Sequence, residues 1–132
     1  KVPFYCTGGG KLILAHKPQS YQDFILENIN FKKFTKNTLS NADDLRKEFE
    51  VIKRQGYAMD MEEREEGITC AAAPVFDCYG EVIAAMSISG PTYRLKEKGL
   101  DSVIKHVIDT ANELSSSIGY FPSVISNVKK LI

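Results

Sequence analysis

Two apolar segments separated by a four-residue turn constrain the fold more than any other feature of the sequence. The first, Ile68 to Phe76, is apolar and rich in small residues, and the second, Glu81 to Ser89, is apolar and β-branched. The residues between them, Asp77 to Gly80, have the composition of a tight turn. Two such segments on either side of a turn predict an antiparallel β-hairpin.

Helical spacing precedes the hairpin. Leu45, Phe49 and Ile52 recur at i, i+4 and i+7, which predicts a helix, and Gly56 supplies its carboxyl-terminal stop. The other elements predicted in this half are a helix from Lys11 to about His16, a second short helix capped by Ser20, a capping box of Ser40 and Asp43, and a short strand from Gly56 to Asp60.

One long amphipathic helix is predicted after the hairpin, from about Glu97 until Gly119 ends it. Its apolar face is formed by Leu100, Val103, Ile104, Val107, Ile108, Ala111, Leu114 and Ile118. Helices, then antiparallel strands, then a closing helix are typical of an α+β domain with an antiparallel sheet flanked by helices. The 132 residues correspond to one domain.

The glycine-rich stretch TGGGK, Thr7 to Lys11, raises the question of a phosphate site. A P-loop requires GxxxxGK followed by Ser or Thr, and here Leu12 follows Lys11. The glycines can instead form a loop whose free N–H groups bind a small anion at the start of a helix. They can also simply allow a tight turn, and the stretch alone favours the turn.

Composition excludes several classes of function. Seventeen basic and seventeen acidic residues cancel, so the charge balance does not indicate binding to nucleic acid. No stretch approaches the length of a membrane span. Three cysteines without a CxxC spacing predict reduced thiols in a cytoplasmic protein, and no His, Cys or Asp spacing predicts a metal site.

Two serines are the first candidates for a binding site. Ser87 and Ser89 lie two residues apart on a predicted strand, so both hydroxyls face the same side. Ile83 and Ala85 share that side, which predicts a buried, otherwise apolar surface. Buried hydroxyls need hydrogen-bond partners, and the sequence leaves open whether protein backbone or a ligand supplies them.

Cys70 and Asp60 are weaker candidates. Cys70 lies among small residues, which suits either an inert buried thiol or the wall of a pocket. Asp60 lies where an acidic run enters the sheet and is expected to point inward, whereas the rest of that run is expected to be solvated. No set of nucleophile, base and oxyanion donors is visible, so we predict no enzyme.

Most of the chain resembles the effector-binding domain of IclR-family transcriptional regulators. The resemblance is carried by TGGGKLILA (7–15), by FTKNTLSNADDLRKEFEVIKRQGYA (34–58) with its Thr-x-x-Thr start, by GYAMDMEEREEGITCAAAPVFDCYGEVIAAMSISGPTYRL (56–95) and by the final helix ending in SSSIGY. Together these segments cover nearly the whole chain.

The resemblance implies a GAF- or profilin-like sheet flanked by helices that binds a small metabolite, often a carboxylate such as a keto, hydroxy or sugar acid, without a metal or cofactor. The implied ligand contacts are Gly8, Gly9, Asp60, Cys70, Ser87 and Ser89. It also implies a homodimer or tetramer that has no membrane contact and binds operator DNA through a separate winged-helix domain.

Two expectations qualify the resemblance. Residues 1–132 are expected to be the effector-binding domain without the helix and strands that usually open it in this family, and without the winged helix. The pocket and sheet are then incomplete or are completed by a neighbouring chain. A cysteine-dependent enzyme on a GAF-like scaffold is the alternative function, and it requires an acidic, accessible Cys70.

Overall fold

The computed structural model describes residues 2–132, and in that range the chain forms six α-helices and three β-strands. The helices are α1 (Gly8–Ala15), α2 (Gln19–Asn28), α3 (Ala42–Gln55), α4 (Thr92–Lys98), α5 (Leu100–Ser117) and α6 (Pro122–Leu131). The strands are β1 (Ala58–Met61), β2 (Ile68–Phe76) and β3 (Val82–Pro91), and a 3-10 turn, Phe4–Cys6, precedes α1. The predicted α+β class is confirmed.

The three strands form an antiparallel sheet in the order β1-β2-β3, which leaves β3 at an edge. The predicted hairpin is β2 and β3. Asp77 closes its turn, because the Asp77 carboxylate accepts hydrogen bonds from the N–H groups of Tyr79 and Glu81 at 2.9 and 3.0 Å. Side-chain capping of this kind is the reason Asp favours turns.

Each face of the sheet packs against a different set of helices, because successive strand residues point to opposite sides. Ala72 faces the cluster formed with α1 and α3, which includes Leu12 and Phe49. Its neighbour Ala71 faces the cluster formed with α4 and α5, which includes Val107. Small residues on β2 therefore let helices approach the sheet from both sides.

Helix α1 begins earlier than predicted. Gly8, Gly9 and Gly10 form its first turn, capped by the Thr7 hydroxyl, which accepts from the Gly10 N–H at 3.1 Å. The prediction of a glycine loop ahead of the helix is therefore wrong. Close packing explains two of the glycines: a Cβ on Gly10 would lie 2.5 Å from the Phe4 carbonyl oxygen, and one on Gly8 3.3 Å from the Ala72 Cβ.

Two helix caps differ from the predictions. Helix α3 is capped by Asn41, one residue after the predicted Ser40; the Asn41 Oδ1 accepts from the Asp44 N–H at 2.8 Å. Gly56 ends α3 in the left-handed conformation at φ 83°, as predicted. Ser20 lies inside α2, and Pro18 precedes that helix without a side-chain cap.

The predicted closing helix, from about Glu97 to Gly119, corresponds to α5, and the short helix α4 that precedes it was not predicted. Gly99 separates them with φ 86°, a conformation that glycine adopts without strain. Ile118 follows α5 as its carboxyl-terminal cap and is exposed. Helix α6 was not predicted, and none of its residues is buried.

Candidate functional site

A row of polar side chains crosses the sheet on the face that α1 covers. Asp60 of β1 lies directly opposite Cys70 of β2, and Cys70 lies opposite Ser89 of β3. Ser87 lies opposite Ala72, one step along the same face. Opposite residues in an antiparallel pair have Cβ atoms within about 5.5 Å, so the three strands bring four predicted site residues together.

The start of α1 lies over this row. A Cβ built on Gly8 would be 3.4 Å from the Cys70 sulfur, and one built on Gly9 would be 3.6 Å from the Ala85 Cβ. The N–H groups of Gly8 and Gly9 belong to the first turn, where the helix offers them no acceptor and its dipole is positive. We call this region, formed by Gly8, Gly9, Asp60, Cys70, Ser87 and Ser89, the α1–sheet site.

The two serines are exposed, which contradicts the prediction of a buried face. They lie on β3, and residues 2–132 place no strand on its outer side. The predicted shared face fails at Ile83 for a separate reason, a bulge where β2 and β3 change register between the pairs Val75–Ala84 and Phe76–Val82. The bulge turns Ile83 out of the shared face, and 56% of this residue is exposed.

Asp60 points inward, as predicted, and only 5% of it is exposed. Its Oδ1 accepts a hydrogen bond from the Glu63 N–H at 2.8 Å. Burial raises the pKa of Asp60, while the Glu63 N–H and the positive charge of Lys11 act in the opposite direction. The carboxyl group therefore both supports the turn after β1 and faces the α1–sheet site.

Cys70 is half-buried, and burial followed by the negative charge of Asp60 raises the pKa of its thiol. The Ser87 hydroxyl and the Gly8 N–H face the sulfur and act in the opposite direction. Neither group is a base. The surroundings of Cys70 therefore suit a neutral thiol in a pocket wall better than an activated nucleophile.

Sequence reasoning missed a buried ion pair beside the site. Lys11 is 1% exposed, and its ammonium group lies 2.8 Å from both carboxylate oxygens of Glu63. Glu63 is itself buried, although the acidic run was expected to be solvated. The only sequence signal was a lysine within an apolar helical segment, which must find a partner if it is buried.

The Thr-x-x-Thr segment before α3 fixes the turn after β1. The Thr38 hydroxyl donates to the Glu63 carbonyl at 2.6 Å and accepts from the N–H groups of Phe34 and Thr35 at 3.0 and 2.9 Å. The Thr35 hydroxyl donates to the carbonyl of Glu62. Glu62 is the one non-glycine residue of the described range with positive φ, 57°. The two threonines therefore hold a turn conformation that most residues avoid.

A separate cavity of about 400 Å³ lies on the other face of the sheet, between α4, α5 and β3. Ile88 and Val103 supply apolar lining, and Lys98, Ser102 and His106 supply polar groups. Within residues 2–132, no cluster of His, Cys, Asp or Glu side chains is arranged to hold a metal ion. In the same range, no helix has the length and apolar character to cross a membrane.

An antiparallel sheet packed between helices, with polar groups converging under a helix start, is an α+β arrangement in which a small molecule can be held. Comparison with known proteins identifies the family. The sequence profile described as "Bacterial transcriptional regulator IclR C-terminal" matches residues 1–116. The chain belongs to this family.

Individual relatives agree with this assignment. The HTH-type transcriptional regulator KdgR of Escherichia coli K12 is 38% identical over 118 residues, which is 89% of this chain and 45% of KdgR. The crystal structure of the KdgR C-terminal domain matches 89% of this chain and 72% of its own chain with a TM-score of 0.82. This chain thus spans about half the length of the curated relatives it matches.

A second relative was solved with a small acid. The inducer-binding domain of the PobR transcription factor from Acinetobacter, described as a double mutant in complex with 3-hydroxybenzoic acid, is 26% identical. It matches 86% of this chain and 66% of its own, with a TM-score of 0.79.

Proposed function

We propose that this chain is the ligand-sensing domain of an IclR-type transcriptional regulator and that it binds a small carboxylic acid at the α1–sheet site. The observation that carries the proposal is the convergence of a helix start with the row formed by Asp60, Cys70 and Ser89. Family membership supports a regulatory use of the domain, because the matched relatives are named transcriptional regulators.

The chemistry of the site indicates the class of ligand. The N–H groups of Gly8 and Gly9 at the positive end of α1 suit a carboxylate. The hydroxyls of Ser87 and Ser89 can donate to a keto or hydroxyl oxygen. Asp60 faces the hydroxyl or keto end, because two close carboxylates repel. These features fit a small keto, hydroxy or sugar acid, and the 3-hydroxybenzoic acid held by the PobR domain also combines a hydroxyl with a carboxylate.

The domain acts as a sensor and not as an enzyme. The raised pKa of Cys70 keeps its thiol protonated near neutral pH, and a protonated thiol is a poor nucleophile. Alkylation by iodoacetamide at neutral pH measures this directly. Reaction of Cys70 faster than free cysteine would instead support the cysteine-dependent enzyme.

The assembled regulator is a cytoplasmic homodimer or tetramer that contacts operator DNA through a separate winged-helix domain. The relatives named HTH-type support this arrangement. Self-association uses the exposed side of α5, where Leu114 is apolar and exposed, or the outer side of the sheet. Sedimentation velocity at micromolar concentration tests the assembly, and a clean monomer would count against it.

A further strand pairs with the free edge of β3. Strand β3 itself spans ten residues, Val82–Pro91. A sheet edge of that length, with unpaired backbone N–H and C=O groups, is normally covered or protected. Added backbone there would also shelter Ser87 and Ser89, which are exposed without it. The strand comes from the same polypeptide or from a second copy, and hydrogen exchange of β3 amides in longer and shorter versions of the chain distinguishes the two sources.

A thermal-shift screen of small acids tests the ligand class. Pyruvate, glyoxylate, sugar acids and 3-hydroxybenzoate are the probes. A ligand at a hundred times its dissociation constant stabilises the folded state by about 2.7 kcal/mol. No shift with any of these acids would contradict the proposed class.

Calorimetric titration of variants then locates the site. Ser87→Ala and Ser89→Ala are expected to weaken binding by roughly 1–3 kcal/mol, because each removes a hydrogen bond to a charged or polar ligand atom. Gly9→Val is expected to block the site sterically. Ser102→Ala is the matched control, since Ser102 lines the cavity between α4 and α5. If only Ser102→Ala lost affinity, the ligand would have to bind in that cavity and not at the α1–sheet site.

A further inference from the structure

One buried ammonium group joins the start of α1 to the end of β1. The Lys11 Nζ lies 2.8 Å from Glu63 Oε1 and from Glu63 Oε2, and 2.7 Å from the Met59 carbonyl oxygen. A fourth acceptor, Glu48 Oε1 of α3, lies at 3.1 Å. An ammonium group has three donors, so these contacts use its full hydrogen-bonding capacity.

The two residues that make the shortest hydrogen bonds with Lys11 lie on either side of Asp60 in the sequence. Met59 precedes it, and Glu63 follows three residues later and donates its N–H to the Asp60 carboxylate. Lys11 lies three residues after Gly8, which is about one helical turn. A single ion pair therefore connects the backbone around Asp60 to the helix turn whose N–H groups form the opposite wall of the α1–sheet site.

We propose that Lys11 and Glu63 are positioning residues of the α1–sheet site, which hold the first turn of α1 at a set distance from Asp60 and Cys70. The inference rests on the proposed ligand-binding function and adds to it the device that sets the geometry of the site. Buried ion pairs are a weak source of stability, and apolar residues of similar size often replace them without loss. Both oxygens of Glu63 lie 2.8 Å from the one Lys11 Nζ, so the ion pair holds the two segments at a set distance.

Glu48 provides a matched control for this role. It also bonds Lys11, but it belongs to α3 and has 26% of its side chain exposed. Its backbone makes no link to Asp60, whereas the Glu63 N–H does. If the ion pairs only stabilise the fold, Glu48→Gln and Glu63→Gln should lower the stability of the protein by different amounts, and neither should change the α1–sheet site. If Glu63 positions α1, only its substitution changes the site.

The deciding measurement is the amide spectrum of the ligand-free protein. We expect the Gly8 and Gly9 resonances to move in Glu63→Gln, to stay near their wild-type positions in Glu48→Gln, and to take intermediate positions in Glu63→Asp. Glu63→Asp keeps the charge and serves as the second variant should Glu63→Gln not fold. The proposal would be overturned if the Gly8 and Gly9 resonances did not move in the folded Glu63 variants. It would also be overturned if Glu48→Gln moved them as far as Glu63→Gln does.

Titration with pyruvate supplies an independent measurement on the same proteins. Glu63→Gln is expected to weaken pyruvate binding by roughly tenfold, which is the effect of about one lost hydrogen bond, and Glu48→Gln is expected to leave it nearly unchanged. Equal losses in both variants would also overturn the proposal. Absence of pyruvate binding in the wild type would count against pyruvate as the ligand, and the amide spectra would still decide the positioning role.

Discussion

Replacing Lys11 with methionine tests the energetic importance of the buried ion pair. Methionine has a similar length but no charge, so Lys11→Met leaves the Glu63 carboxylate in place with only 7% of its side chain exposed. The variant also removes the donor to the Met59 carbonyl. Glu48 is more exposed and can turn to solvent, so Glu63 determines the size of the effect.

The expected loss of unfolding free energy at neutral pH is about 3–5 kcal/mol, the usual result of removing one partner from a buried ion pair. A domain of this size is commonly stable by about 5–15 kcal/mol, so the variant should fold but unfold at much lower urea concentration. The matched control is Lys53→Met. Lys53 pairs with Glu50 on the exposed side of α3, where such a pair is worth at most about 1 kcal/mol.

The loss should depend on pH. Burial raises the pKa of Glu63 above its usual value of 4.5, and Lys11 opposes this effect. Without Lys11 the folded-state pKa rises further, so the folded protein holds the Glu63 proton more tightly than the unfolded chain does. The stability contributed by such a group is complete below the unfolded pKa and is lost as pH rises through the folded pKa. The deficit of Lys11→Met is therefore largest at neutral pH and shrinks as the pH falls toward about 4.5.

Urea unfolding of the wild type, Lys11→Met and Lys53→Met at several pH values measures these effects. A loss below about 1 kcal/mol for Lys11→Met at neutral pH would show that the ion pair is not buried as the structure has it. A loss that stayed constant with pH would show that Glu63 does not carry the uncompensated charge.

Three further predictions concern the rest of the fold. Gly10→Ala should lower the free energy of unfolding by about 1–3 kcal/mol, because its Cβ would meet the Phe4 backbone at 2.5 Å. Gly9→Ala makes an ordinary contact and should be neutral or slightly stabilising in urea unfolding. Equal behaviour of the two variants would contradict the packing of α1. Ser115→Ala should cost about 1–3 kcal/mol in the same assay, because the buried Ser115 hydroxyl bridges α5 to the end of β2, and no loss would mean that this bridge is dispensable. Val128→Ala in α6 should change the free energy of unfolding by less than about 0.5 kcal/mol, since no residue of that helix is buried, and a larger loss would reveal a packing partner for α6.

The elements that the sequence predicted well are those specified by nearby residues. The boundaries of β2 were predicted to the residue, because a turn signal at Asp77 follows a mostly apolar segment. Helix α3 was recognised from its apolar spacing and from Gly56 at its end. The one-residue error at its start arose because Ser40 and Asn41 are both good caps, and only the observed hydrogen bonds distinguish them.

The site was predicted in two parts. Strand alternation placed Ser87 and Ser89 on one side, the residues themselves made Asp60, Cys70 and the glycine stretch open candidates, and the family resemblance assigned all of them as ligand contacts. The exposure of the serines could not be predicted, because it depends on the position of β3 at the edge of the sheet, which local sequence does not specify. Helix α4 was missed because its seven residues are too few to show an apolar period, and the closing helix begins at Leu100, after Gly99, and not at about Glu97 as predicted.

Only the tertiary structure revealed the ion pair of Lys11 with Glu63. These residues are 52 positions apart, and no local pattern relates the start of α1 to the end of β1. The sequence by itself determined the strands, most of the helices and, except at the bulged Ile83, the sides on which the predicted strand side chains lie, since those follow from local periodicity and turn chemistry. Tertiary packing decided that three glycines form a helix turn against Cys70 and that a lysine beside them is buried, because both depend on how α1 docks on the sheet.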